Sequence, residues 1–267
     1  MNKSHFLPLF SIDFCRWWQH NSAMRTIFLA DAHLTAPDEP NYRLLLKFLD
    51  ELAGNTETLF IMGDLFDFWL GFPSQPFRQY DAVLEALLRL VNSGCQVVYF
   101  EGNHDFHLGS IFSERLRAEI HTGPAILTLQ GRQLFLCHGD QINRADQGYR
   151  FLRRLLHNRL VAAAVNHFPP SLALRIKERL QHKSRASYQT KTAKWNYRQI
   201  IQKFARHVQG QGCSGLVTGH FHLAFCEKEP DSNFTTLSLG DWMEQFTYGE
   251  IVAGELKLCT YTTPTSF

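Results

Sequence analysis

Through the first hundred residues, short apolar runs rich in β-formers alternate with segments of helical spacing, and this alternation limits the possible folds most. Residues 26–30 read as a strand, 42–52 as a helix, 58–62 as a strand, 80–91 as a helix and 96–100 as a strand. That order predicts βαβ units and a largely parallel sheet. Further strands are expected at 125–129 and 133–137, joined by a turn at Gly131, and at 216–218. Residues 223–239 and 250–261 read as antiparallel strands, so an α/β core closed by an antiparallel sheet is the architecture the residues predict.

A different kind of segment, 146–207, is helical in pattern and interrupted by Pro169 and Pro170. It carries fourteen of the chain's 27 basic side chains, and after Asp146 its only carboxylate is Glu178. We read it as a basic helical insert, or cap, within a domain spanning 24–261, with 262–267 as a C-terminal tail. Residues 1–23 form an N-terminal arm, either loosely attached or upstream of an alternative start at Met24. Asp13 and Arg16 break its apolar run, which argues against a signal peptide. No apolar run approaches the roughly 20 residues that span a bilayer. The six cysteines contain no C-x-x-C pair, as expected of thiols in a reducing cytoplasm. A net charge of +2 gives no global attraction for nucleic acid, so no nucleic-acid partner is expected.

Five short motifs place metal-ligand residue types just after strand-like runs. They are Asp31-Ala-His33, Gly63-Asp64-Leu-Phe-Asp67, Gly102-Asn103-His104-Asp105, His138-Gly139-Asp140 and Gly219-His220-Phe-His222. In α/β sheets the crevice beyond the strand C-termini is where ligands bind, so five strand ends can converge on one point. Imidazole and carboxylate without thiolate suit borderline-hard divalent ions. Asp31, His33 and His222 fit one ion, Asn103, His138 and His220 a second, and Asp64 is placed to bridge them. A pair of such ions activates water for in-line phosphoryl displacement, so the predicted reaction is hydrolysis. Any one of these motifs is commonplace; all five in order, each after a strand, are not.

The ordered set resembles the calcineurin-like metallophosphoesterase superfamily. That resemblance implies a sandwich of two mixed β-sheets flanked by helices and a centre of two divalent ions, Mn2+ foremost, with Fe or Zn as alternatives. It also implies that His104 contacts the substrate phosphate or protonates the leaving group, with Asp105 orienting its imidazole. Gly63-Asp64-Leu-Phe-Asp67-Phe-Trp69, Leu136-Cys-His-Gly-Asp140, Leu239-Gly-Asp-Trp242 and the basic insert make the chain most similar to the UDP-2,3-diacylglucosamine diphosphatase family. Members of that family cleave the pyrophosphate of a UDP-sugar lipid to UMP and 2,3-diacylglucosamine 1-phosphate in lipid A biosynthesis. The resemblance carries substrate contacts to Asn103, His104, Asp146, Ser184, Tyr188, Lys191 and His220. In the best-known branch Arg stands where this chain has His104, and Asn stands where it has Tyr188.

A lipid substrate implies a cytoplasmic enzyme held peripherally at the inner membrane. In keeping with this, Leu152, Leu155, Leu156, Leu160, Val161 and Ala164 make an apolar stripe beside Arg153, Arg154 and Arg159, followed by Phe168, Leu172, Leu174 and Ile176. Plain packing against the core explains such a stripe equally well. Trp69 is expected near the site. The alternatives are a soluble metal-dependent phosphodiesterase or phosphatase acting on nucleotides, and a non-catalytic scaffold that retains its metals.

Overall fold

The computed structural model describes residues 25–71, 77–156, 158 and 195–262. Its first strand, β1 (Arg25–Leu29), shows why the apolar runs are continuous rather than alternating. Ile27 and Leu29 project into one apolar layer, and Phe28 and Ala30 into another. The same division recurs in β2 (Thr56–Ile61) and β4 (Gln96–Phe100), where Leu59, Ile61, Val97 and Tyr99 face one side and Phe60, Val98 and Phe100 the other. A strand covered on both faces needs apolar residues at every position.

On the first face lie two amphipathic helices, α1 (Pro40–Leu52) and α2 (Asp81–Asn92). Helix α1 begins with Pro40 in its first turn, where the missing N–H has no partner to lose. It buries Tyr42, Leu45, Phe48, Leu49 and Leu52, the stripe read from the sequence. Helix α2 answers with Val83, Leu84, Leu87 and Leu90. Burying a side chain of this size contributes about 1.5–3 kcal/mol.

Between β2 and α2 lies the two-residue β3 (Trp69–Leu70), which pairs in parallel with β5 (Asp105–Phe106). Trp69 is fully buried among Phe66, Phe77, Tyr80 and Phe112, and its indole N–H donates to the Leu108 carbonyl at 3.1 Å. It packs the core and does not line the site, contrary to the sequence expectation.

The remaining strands are β6 (Glu119–His121), β7 (Ala125–Leu129), β8 (Arg132–Cys137), β9 (Gly215–Thr218), β10 (Ala224–Lys228), β11 (Thr235–Leu239), β12 (Thr247–Val252) and β13 (Glu255–Thr260). They form two mixed sheets. The first runs β13-β12-β1-β2-β4-β6 and the second β10-β11-β9-β8-β7. In the first, β1, β2, β4 and β6 are parallel while β12 and β13 close one edge antiparallel. In the second, β8, β9 and β11 are parallel, with β7 and β10 antiparallel at the edges.

This corrects the reading of a single antiparallel sheet at the C-terminal end. The last four strands divide into two hairpin pairs, one on each sheet. Leu237 and Leu239 of β11 face Phe28 and Ile251 across the sandwich interior, so both hairpins bury a face only by joining different sheets.

Helix α3 (Gln147–Leu156) follows β8, and α4 (Tyr197–Gln209) precedes β9. Asn196 caps α4 by accepting from the Gln199 N–H at 3.1 Å. Ile201, Ala205 and Val208 of α4 pack with Leu216 and Phe225 on the outer face of the second sheet. The layers are therefore helix, sheet, sheet, helix. Leu160, Val161, Ala164, Pro169, Pro170 and the apolar residues that follow them lie outside the described residues. The five cysteines among the described residues are free thiols.

Candidate metal centre

The predicted motifs converge where β1, β2, β4, β8 and β9 end. Asp31 and His33 follow β1, Asp64 follows β2, Asn103 and His104 follow β4, His138 follows β8, and His220 and His222 follow β9. Three groups of ligand atoms lie within 4.8 Å of one another: Asp31, His33 and His222; His33, Asp64 and His104; and Asp64, His138 and His220. Asp64 and His33 each belong to two groups, which makes the whole one contiguous cluster.

Each carboxylate is anchored on one side and open on the other. Asp31 Oδ2 accepts the His220 N–H at 2.7 Å, and Asp64 Oδ1 accepts the His104 N–H at 2.9 Å. Their other oxygens turn toward imidazole nitrogens. Asp31 Oδ1 lies 3.8 Å from His33 Nε2 and 3.7 Å from His222 Nε2, while Asp64 Oδ2 lies 3.7 Å from His33 Nε2 and 3.4 Å from His138 Nε2. Asp31 Oδ1 and His33 Nε2 are buried and make no hydrogen bond. Such orphaned atoms are costly unless something bridges them. Separations near 3.7 Å, too long for a hydrogen bond, suit two ligands on one cation of ordinary bond length.

Hydrogen bonding to the far side of two imidazoles decides their tautomers. His138 Nδ1 donates to the Met62 carbonyl at 2.8 Å, which turns Nε2 toward Asn103 Oδ1 at 3.1 Å and Asp64 Oδ2. His104 Nδ1 donates to the Asp67 carbonyl at 2.8 Å, leaving Nε2 for the site. Carbonyl partners of this kind orient imidazoles at metal centres.

The electrostatics also favour bound positive charge. Burial pushes His138 down, but Asp64 beside it, with Asp31 and Asp140 farther off, outweighs burial and lifts it to about 10. Burial pushes His33 well below its ordinary range and His220 down to about 3, so both are neutral imidazoles, the form that binds metal. Burial and the neighbouring Asp64 hold Asp31 high, against the pull of His138. Asp64 falls well below the carboxylate range because His138, His104 and His33 together overcome its burial. Two buried carboxylates beside the neutral imidazoles of His33 and His220 fit a pair of divalent cations, and the orphaned atoms are the clearest sign of that fit.

Asp105 has a different part from the one expected. Its carboxylate accepts the N–H groups of Asp64 (2.9 Å), Leu65 (2.7 Å) and Gly102 (3.0 Å), and the Tyr99 hydroxyl. It therefore orients the loops carrying Asp64 and Asn103, while the His104 ring is oriented by the Asp67 carbonyl. Backbone donors crowd Asp105 because the loop after β2 folds directly over it. Gly63 and Gly102 let these loops touch: a Cβ on Gly63 meets His138 Nδ1 at 2.5 Å and Gly102 Cα at 2.9 Å.

Sequence reasoning missed the loop after β11. The Trp242 N–H donates to the Asp31 carbonyl at 3.1 Å, and Gln245 Nε2 to the His222 carbonyl at 2.9 Å. Asp241 in turn accepts from the N–H groups of Met243 and Glu244. Only the acidic residue in Leu239-Gly-Asp-Trp242 hinted at this brace. Of the substrate contacts, Asp146 lies just before α3, and Ser184, Tyr188 and Lys191 lie outside the described residues.

Comparison with known proteins agrees with this geometry. The model of the calcineurin-like phosphoesterase family matches residues 24–224. A UDP-2,3-diacylglucosamine hydrolase of Haemophilus influenzae (strain PittGG) is 31% identical over 220 residues, covering 82% of this chain and 91% of that protein. Proteins of the same name from Haemophilus ducreyi and Pseudomonas aeruginosa (strain UCBPP-PA14) are 31% and 30% identical. Those matches cover 82% and 83% of this chain and 92% of each relative. With the ligand cluster, the sandwich and the family match in agreement, the chain belongs to the calcineurin-like phosphoesterase family and is a metal-dependent hydrolase.

Proposed function

We propose that this protein hydrolyses the pyrophosphate of UDP-2,3-diacylglucosamine, releasing UMP and 2,3-diacylglucosamine 1-phosphate, at the cytoplasmic face of the inner membrane. The observation that carries the hydrolytic part is the pair of carboxylates, each anchored on one oxygen and open on the other among imidazole nitrogens. The substrate rests on relatives of that printed name aligned over more than nine-tenths of their length. No helix among the described residues is long and apolar enough to cross a membrane, so attachment would be peripheral.

Asp31, His33 and His222 would hold one ion and Asn103, His138 and His220 the other, with Asp64 shared. When bound, two divalent ions, Mn2+ first among candidates, lower the pKa of water they share and offset charge on phosphoryl oxygens. The chain's own residues supply orientation and a proton. Met62 and Asp67 carbonyls fix the imidazoles of His138 and His104, so neither ring must reorganise during reaction. His104, with Nδ1 donating to Asp67, keeps Nε2 to hydrogen-bond a phosphoryl oxygen or to deliver a proton to the leaving oxygen. Asn103, Asp146, Ser184, Tyr188, Lys191 and His220 would contact the sugar and phosphates.

The test is hydrolysis of UDP-2,3-diacylglucosamine with and without manganese, beside bis-p-nitrophenyl phosphate and a plain UDP-sugar. Manganese-dependent release of UMP from the lipid, exceeding turnover of either comparator, is the expected result. Cleavage of the simple diester with the lipid untouched would remove the substrate and leave a soluble phosphodiesterase.

A further inference from the structure

Beside the ligand cluster lies a cavity of about 220 Å³ whose lining includes Glu101, Arg144, Arg150 and Arg153, which have no part in the chemistry described above. Of the ligand cluster it shares His138, at the end of β8, so it adjoins the metal centre on that side. The ends of β4 and β8, the turn between β6 and β7, and residues of α3 and α4 enclose it.

One wall is built and rigid. Arg153 of α3 ion-pairs with buried Asp140 and donates to the Thr122 carbonyl at 3.2 Å. The side chains of that pair are only 14% and 2% exposed, so α3 is pinned to the end of β8 through a charge pair largely withdrawn from water. Arg144 and Arg150 also border the cavity, and neither guanidinium has a hydrogen-bond or ion-pair partner among the described residues. Two uncommitted guanidinium groups facing one cavity are suited to an anionic phosphate.

The rest of the lining narrows the ligand. Phe100, Pro124, Ile142 and Phe204 offer apolar and aromatic surface to a flat ring. Glu101 and Asp140 border the cavity as well, each 4% exposed. An acyl chain is a poor occupant, because desolvating so many charged groups against hydrocarbon is costly.

The geometry points to this cavity as the subsite for the nucleoside monophosphate half of the substrate, with Arg144 and Arg150 as its phosphate-binding side chains. This assignment rests on the reading of the substrate as a nucleotide-containing pyrophosphate. The lipid half then lies outside this cavity.

Calorimetric titration of the full-length, manganese-loaded protein with UMP, uridine and inorganic phosphate tests it without turnover. UMP is expected to bind more tightly than either fragment. Arg144→Ala/Arg150→Ala should weaken UMP by about tenfold or more, since two charge-assisted contacts are removed. Gly123→Leu provides a second variant: Gly123 borders the cavity, and a Cβ added there meets nothing within 4 Å. It too should weaken UMP, with the circular dichroism spectrum retained. Unaltered UMP affinity in both variants, no UMP binding by the parent protein, or phosphate binding as tightly as UMP would each overturn the subsite.

Hydrolysis of the UDP-lipid is measured in parallel, and the two readings can fail separately. If the lipid is inert but UMP binding is lost in the variants, the subsite stands and the substrate falls. If the lipid is cleaved but the variants bind UMP normally, the reverse holds.

Discussion

Asp31, His33, Asp64, His220 and His222 all adopt positive φ, between 42° and 70°, a region that non-glycine residues rarely occupy. Each such conformation costs of order 1–3 kcal/mol, and the surrounding hydrogen bonds must hold it in place. Those bonds include the Trp242 N–H on the Asp31 carbonyl and Gln245 on the His222 carbonyl. Three substitutions separate the roles at this scale. Asp64→Asn keeps shape but removes the shared charge, so metal content measured by elemental analysis should fall and turnover should drop more than about 100-fold. His104→Ala should retain its metal and lower kcat by about 10²–10⁴-fold. Asp105→Ala should behave as a stability variant, because the buried N–H groups of Asp64 and Leu65 lose their acceptor at about 1–3 kcal/mol each. A denaturation midpoint unchanged in Asp105→Ala would show that the loops hold themselves.

At the scale of elements, the strands of the first sheet are defined by two-sided burial. Phe28 stacks on Phe60 with ring centroids 5.0 Å apart in the layer between the sheets. Phe28→Ala should therefore cost about 3–5 kcal/mol in urea unfolding. Phe151 on α3 is 69% exposed, and Phe151→Ser should change stability by less than about 0.5 kcal/mol. Equal losses from the two would contradict the layer assignment. The bounds of the first strands and helices were legible because a continuous apolar run and an amphipathic stripe are local patterns. The distribution of β10, β11, β12 and β13 over two sheets was not. Both arrangements satisfy the same alternation, and only the facing partners Phe28, Leu237 and Ile251 choose between them.

For the whole molecule, a site on strand ends should be separable from the core beneath it. The first sheet and its helices bury their apolar residues without using a ligand atom of the cluster. Removing metal with a chelator should leave the far-ultraviolet circular dichroism spectrum intact while lowering Tm. The lost stabilisation is RT ln(1 + [L]/Kd), about 2.7 kcal/mol at a hundredfold excess over Kd. Readdition of manganese should restore Tm, and unfolding on chelation would mean that the metals hold the fold itself.

Residue types and their order after each strand were enough to propose Asp31, His33, Asp64, Asn103, His138, His220 and His222 as one ligand set, and the fold brings the aspartates and histidines of that set together because strand ends meet at one edge of a sheet. What serves those ligands was decided only in three dimensions. The partners of the His104 and His138 rings are the backbone carbonyls of Asp67 and Met62, a group every residue carries. Asp105 moved from orienting a ring to tying two loops, and Trp69 from the site to the core, since each turns on what lies opposite in space. Motif spacing records which atoms can bind a metal; the packing of distant loops determines which of them face it.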